Sequence, residues 1–260
     1  MNNKKIIIKN LNFGYYDSEI FKEFSFEIES GEILTILGPN GSGKTTLLKL
    51  IQKILSPKGG NIIVSGKDIN EYTFKELSKE ISYVPQIHTP KFPFTVFDFV
   101  LMGRNPYIDN YSLPTEKDME IVENSLKDLG ILYLKDRPYI DISGGELRLV
   151  LIARAIAQET DVLLLDEPTA FLDFKNKLFV LKKIKELKQK RNLTVVITLH
   201  DPNEAINFSD RILLINKNEI VSFGPPEIVL SKENIKKVYS VEIEIFQIND
   251  RKFIVPKEKI

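Results

Sequence analysis

Apolar residues recur along this chain with two periods, and the switching between them predicts the order of its elements. Alternation at residues 24–28 and short apolar runs at 6–8 and 11–15 predict strands laid as an antiparallel edge on a sheet. The unbroken apolar run at 162–165 and the largely apolar runs at 33–37 and 193–199 predict strands buried on both faces, as in a parallel sheet. Further strands are expected at 61–64, 81–86 and 211–215. Elsewhere the period is helical: at 47–51, after a capping box of Thr73 with Glu76, from Thr95 to Met102, and after Thr115, where Met119, Val122, Leu126 and Leu129 share a face. Residues 147–158 and 174–191 read as helices too, the second Lys-rich and solvated. The tail alternates from Tyr239 to Ile248 and resumes at Arg251 beyond Asn249-Asp250, which predicts a terminal hairpin. The whole reads as an α/β fold with a mainly helical insertion between Gln86 and Asp161.

One turn gives this pattern a chemistry. Between strand 33–37 and helix 47–51 lies Gly38-Pro39-Asn40-Gly41-Ser42-Gly43-Lys44-Thr45-Thr46, the strand, glycine turn and helix of a P-loop. Gly38, Gly41 and Gly43 admit backbone angles closed to other residues, so N–H groups can turn inward around phosphate oxygens at the positive end of the helix. Lys44 is then placed to reach the β and γ phosphates and Thr45 to offer its hydroxyl to Mg²⁺.

Other residues gain meaning from that loop. Asp166 and Glu167 end strand 162–165 with side chains on opposite faces; in a P-loop protein the first holds Mg²⁺, usually through water, and the second polarises or deprotonates the attacking water. Ser143 with Glu146 is a capping box, and Gly144 and Gly145 leave N–H groups uncovered, so this start is either a second anion site or simply a well-capped helix. Gln86, at a strand end, suits a Mg²⁺ ligand, a water-orienting amide or a plain loop residue. His200 follows strand 193–199 at the carboxyl end, where the γ phosphate should lie, whereas His88 reads as an ordinary loop histidine. Tyr15 and Tyr16 are expected in a loop after Gly14, either stacking on a purine base or merely on the surface.

Composition narrows the partners. Lys+Arg and Asp+Glu number 36 each, so no net field draws the chain to nucleic acid, and none is expected as a partner. With no cysteine, disulfides, thiolate metal sites and cysteine nucleophiles are excluded. The apolar run at 6–8 is too short for a signal-peptide core, and no run approaches the roughly 20 residues of a membrane helix, so a soluble chain is expected.

The P-loop, Gln86, the sequence Ile142-Ser143-Gly144-Gly145-Glu146, the strand ending in Asp166-Glu167, the loop from Ala170 to Asp173 and His200 occur in one order. In this the chain resembles the nucleotide-binding subunits of ATP-binding cassette (ABC) transporters over nearly all of its length. The resemblance implies a P-loop NTPase (RecA-like) core at 1–86 and 160–230 with an antiparallel β edge, an inserted helical signature subdomain at 87–159, and a C-terminal extension at 231–260. It implies that two copies pair head to tail, each ATP lying between one P-loop and the other copy's Ser143-Gly144-Gly145, with Asp173 in the dimer loop and Tyr15 stacked on adenine. It also implies catalysis by Glu167 and His200 with Gln86 and Lys44, and Mg²⁺ held by Thr45, Gln86 and Asp166. Ile142 stands where leucine is usual, and Leu147-Arg148-Leu149 replaces a more polar run. Residues 96–107 and 144–154 look like those of importers of iron chelates, haem and cobalamin, a group with some molybdate members. Such a subunit sits peripherally on the cytoplasmic face of the cell membrane, bound to permease subunits through a socket expected at residues 92–100, with an extracytoplasmic solute-binding protein as indirect partner. The other classes are a soluble ABC ATPase that remodels a protein complex, and a P-loop kinase or GTPase, which residues 143–146, His200 and the lack of an Asn-Lys-x-Asp signature oppose.

Overall fold

A computed structural model describes residues 4–16, 18–109, 112–249 and 251–257. They form two compact units, one from residues 1–71 and 194–260, the other from 72–193. The first unit opens with β1 (Lys4–Tyr15), β2 (Ser18–Glu29), β3 (Ile33–Leu37), α1 (Lys44–Ile51), β4 (Gly59–Val64) and β5 (Lys67–Asp68). An antiparallel sheet runs β2-β1-β4-β5. The stretches 6–8 and 11–15, separate in the sequence reading, belong to one strand: the β1–β2 register shifts between Ile8 and Leu11, and Asn10 is left-handed at φ 47°. A bulge breaks the apolar alternation there without ending the strand. Tyr15 is the last residue of β1 and not in a loop; Tyr16 lies in the turn after it, 97% exposed with φ 48°.

The second unit holds α2 (Phe74–Glu80), β6 (Ile81–Val84), α3 (Val96–Leu101), α4 (Glu116–Leu129), α5 (Gly144–Ala157), β7 (Val162–Asp166) and α6 (Phe174–Arg191). β6 and β7 pair in parallel, and α3 and α4 pack on α5. Capping boxes start α2 and α5 as the sequence predicts, and Thr115, expected ahead of a helix, caps α4 in a third box with Asp118. On α4, Val122, Leu126 and Leu129 are buried, but Met119 lies at the edge of their stripe and is exposed. A buried ion pair ties the helices: Arg104 donates Nε to Asp118 at 2.9 Å and Nη1 to Ala157 O and Glu159, both at 2.8 Å. The Thr115 hydroxyl first, and Arg104 after it, hold the Asp118 carboxyl at about 2.

The chain then returns to the first unit with β8 (Thr194–Thr198), α7 (Pro202–Phe208), β9 (Arg211–Asn216), β10 (Glu219–Gly224), α8 (Pro226–Val229), α9 (Lys232–Tyr239), β11 (Ile243–Ile248) and β12 (Arg251–Pro256). Its second sheet has the order β10-β9-β3-β8, with β9, β3 and β8 parallel and β10 antiparallel. The terminal hairpin forms, but Tyr239 closes α9 instead of opening a strand, because Ile235 and Val238 bury a helical face there. The expected turn residue Asp250, Asn110 and Tyr111 between the helices expected up to Met102 and after Thr115, and Met1 to Asn3 lie outside the described residues. Among the described residues, no helix is long and apolar enough to cross a membrane.

Candidate functional site

In the first unit β3, buried at every position, delivers the chain to Gly38 at the sheet's carboxyl end. Gly43 is the N-cap of α1 at φ 96°, with no side chain capping the first turn. A Cβ there would meet Ile20 and Phe21 at 2.7 and 2.8 Å, so glycine alone fits, and the helix start is left able to bind an anion. Gly41 also has positive φ, 78°, with open space where a Cβ would stand. Lys44 is buried, its Nζ donating to Gly38 O at 2.8 Å and Pro39 O at 3.1 Å, so the ammonium lies inside the loop where phosphate would arrive. The Ser42 hydroxyl is buried without a hydrogen-bond partner. That orphaned group, the uncapped helix and the enclosed ammonium suit a polyphosphate.

Pairing places His200 beside this loop. β3 and β8 are parallel with Ile36 opposite Thr198, so Gly38 and His200, each two residues further on, emerge at one level on neighbouring strands. Leu199 N–H still donates to Ile36 O at 3.3 Å, which fixes that level, and His200 itself is exposed. Tyr15, 41% exposed, stands edge-on to Phe13 with ring centroids 5.1 Å apart.

The second unit gathers the acidic and amide groups. β7 ends in Asp166, and Glu167 follows it; both are buried, and Glu167 adopts φ 46°, an uncommon left-handed conformation for a side-chain-bearing residue. Gln86 Nε2 donates to Glu167 Oε2 at 2.5 Å, and the Tyr83 hydroxyl donates to Asp166 Oδ2 at 3.4 Å. Burial, and then the Asp166 charge, push the Tyr83 phenol up, so it remains a donor. Ser143 caps α5, exchanging hydrogen bonds with Glu146, which also accepts the Tyr133 hydroxyl at 3.1 Å. Nothing lies within 4 Å of where a Gly144 Cβ would stand, whereas at Gly145 it would meet the Asn176 carboxamide at 3.1 Å. Asp173 caps α6 and holds that carboxamide, accepting from Asn176 N at 2.8 Å and Nδ2 at 3.1 Å. A cleft of about 170 Å³ is lined by Gln86, His88, Gly144, Arg148, Ala170 and Leu172 among others, so these loops border one space.

A glycine loop feeding an uncapped helix, together with an apolar strand ending in two buried carboxylates, defines the P-loop nucleoside triphosphatases. The profile of the ABC transporter family matches residues 21–170. The chain belongs to that family and is an ABC-type ATPase. An ABC transporter ATP-binding protein of Haemophilus influenzae is 40% identical over 91% of this chain and 90% of its own length. The petrobactin import ATP-binding protein FpuC of Bacillus anthracis is 35% identical over 94% of this chain and 90% of its own length. A solved ABC transporter assigned to the metal-chelate type, in an inward-facing conformation, superposes with a TM-score of 0.87 at 35% identity, covering 98% of both chains.

Some expectations change. His88 is no ordinary loop residue: its ring packs against the stacked pair of Phe99 and Tyr139, and its Nε2 is buried without a partner. Burial first, then Arg154 and Arg148, hold it below the usual histidine range. Of the expected socket, Phe92, Pro93 and Phe94 are exposed in one run, whereas Val96, Phe99 and Val100 form the core around α3. Sequence reasoning passed over Arg148 as a mere departure. Buried on α5, it donates Nη1 to Pro85 O at 2.8 Å and Nη2 to Gln86 O at 2.9 Å, with the Asp166 and Glu167 charges nearby. An arginine alone among Leu147, Leu149, Val150 and Leu151 was the available signal. Arg148→Met, which keeps the bulk but drops the fork, should lower turnover about tenfold by loosening the loop that presents Gln86. ATP affinity should stay within about twofold, because the P-loop is untouched. Steady-state kinetics beside equilibrium ATP titration checks this, and a loss confined to affinity would contradict it.

Proposed function

We propose that this chain is the ATP-hydrolysing subunit of a metal-chelate importer, working as a pair of copies on the cytoplasmic face of separate membrane permease subunits. The observation that carries the catalytic half is the Glu167 carboxylate, buried after β7 and held by the Gln86 amide. In this reading the P-loop N–H groups and Lys44 bind the ATP phosphates, Tyr15 stacks on adenine, and Glu167 takes the proton of the attacking water. His200 contacts the γ phosphate, and Ser143-Gly144-Gly145 of the second copy close the site beside Asp173. Thr45, Gln86 and Asp166 would hold Mg²⁺, which offsets phosphate charge when bound. The same reading divides the chain into a core at 1–86 and 160–230, a signature subdomain at 87–159 and an extension from 231. The substrate class rests on relatives: FpuC imports petrobactin by name, and the superposing transporter is of metal-chelate type. A molybdate import ATP-binding protein of Haemophilus influenzae, 38% identical over 80% of this chain, supplies the competing substrate.

Co-expression with the candidate permease and solute-binding protein should co-purify a multi-spanning membrane subunit, and a ferric chelate should raise ATP turnover several-fold over the basal rate. Stimulation by molybdate instead would move the substrate class. Full ATPase activity with no membrane subunit attached would favour a soluble remodelling ATPase.

A further inference from the structure

The terminal hairpin is attached to α7 by a polar device. Asn203 and Asn207 lie one helical turn apart, and both aim their carboxamides at the backbone edge of β12. Asn203 Nδ2 donates to Ile254 O at 3.0 Å and its Oδ1 accepts the Ile254 N–H at 2.7 Å. Asn207 repeats the exchange with Lys252, at 2.9 Å to the carbonyl and 3.3 Å from the N–H. Residues two apart on a strand turn their N–H and C=O to one edge, and a carboxamide carries donor and acceptor side by side as a peptide does. Two side chains thus stand in for the neighbouring strand that β12 lacks.

This attachment lies next to the nucleotide loops. Only Leu199, His200 and Asp201 separate β8 from α7, so the two elements together set where His200 sits. α7 is one of the shorter helices and buries only Ala205 and Phe208, which leaves the carboxamide pairs a large share of its anchoring. Its N-cap Asp201 accepts the Asn203 N–H at 2.8 Å. A second contact arrives from α9, whose last residue, Tyr239, buries its hydroxyl close to the Gly38 backbone and Asp201 without a hydrogen bond of good geometry. Burial chiefly, and then the Asp201 charge, push that phenol up to about 12, so it stays protonated. The C-terminal segment therefore comes close to the first residue of the P-loop, with the charge of the α7 cap felt at the same hydroxyl.

We propose that the C-terminal hairpin is a brace for His200: Asn203 and Asn207 are positioning residues that, by clamping β12, hold α7 and the imidazole at the level of the P-loop. The proposal rests on the reading of His200 as the γ-phosphate contact. It is tested in the full chain with Asn203→Ala/Asn207→Ala, and from the other side with Lys252→Pro. Because the Lys252 N–H faces Asn207 and not β11, proline there removes part of the clamp without touching the hairpin's own ladder. The chain has two histidines, His88 and His200, so ring ¹H–¹³C NMR reads one and uses the other as an internal control. The brace predicts a turnover lowered about tenfold in the double variant, less in Lys252→Pro, with KM within about twofold. The His200 ring signal should move and that of His88 should not. A folded variant with unchanged turnover and an unmoved His200 signal would overturn the brace. If His200→Ala itself retained wild-type turnover, the γ-phosphate reading would fall instead, and the His200 signal alone would decide whether the clamp acts on the ring.

Discussion

Glu167→Gln is expected to lower ATP turnover by about 10²- to 10⁴-fold, the range contributed by a positioned general base, while leaving the fold and ATP binding in place. The carboxylate accepts a hydrogen bond from the Gln86 amide at 2.5 Å, and a glutamine oxygen can accept the same bond. The left-handed backbone at Glu167 costs either residue alike, so the loop should keep its course. What disappears is the basic oxygen and the charge beside Arg148. Single-turnover hydrolysis measured beside equilibrium nucleotide binding separates the two. Turnover at the wild-type rate would remove Glu167 from the chemistry, and a loss explained entirely by weaker binding would reassign it to the ground state.

Lys44→Ala should weaken MgATP binding by roughly 10- to 100-fold, equivalent to losing one hydrogen bond between charged groups. The ammonium already lies within the loop, held by Gly38 O and Pro39 O, so it needs no large rearrangement to meet a phosphate. Its removal takes the only side-chain cation out of Gly38-Pro39-Asn40-Gly41-Ser42-Gly43-Lys44-Thr45-Thr46. Titration with a fluorescent ATP analogue reads the change, and an unchanged Kd would show that backbone N–H groups alone bind the phosphates.

Much of this was legible because the decisive features are local. A glycine loop between a buried strand and a helix, a capping box at Ser143 and two carboxylates after an apolar strand are written within a few residues of one another, and local geometry realises them. Two kinds of feature were not. Bulges hide in alternation, so β1 looked like two strands although Asn10 merely slips the register. Long-range polar contacts leave no pattern: Arg148 reaching Pro85 and Gln86, or Asn203 and Asn207 reaching β12, depend on which loop the fold brings opposite. Nor does sequence say which apolar residues of a segment face inward, which is why Phe99 and Val100 looked as available as Phe92.

The claim on which the mechanism turns is that one triphosphate is held by the P-loop of one copy and the Ser143 end of α5 of another. The direct measurement is a structure of Glu167→Gln with MgATP. It should contain two copies head to tail, with Lys44 of one and Ser143 of the other on the same γ phosphate. A nucleotide held by one copy alone, or Ser143 far from any phosphate, would contradict it.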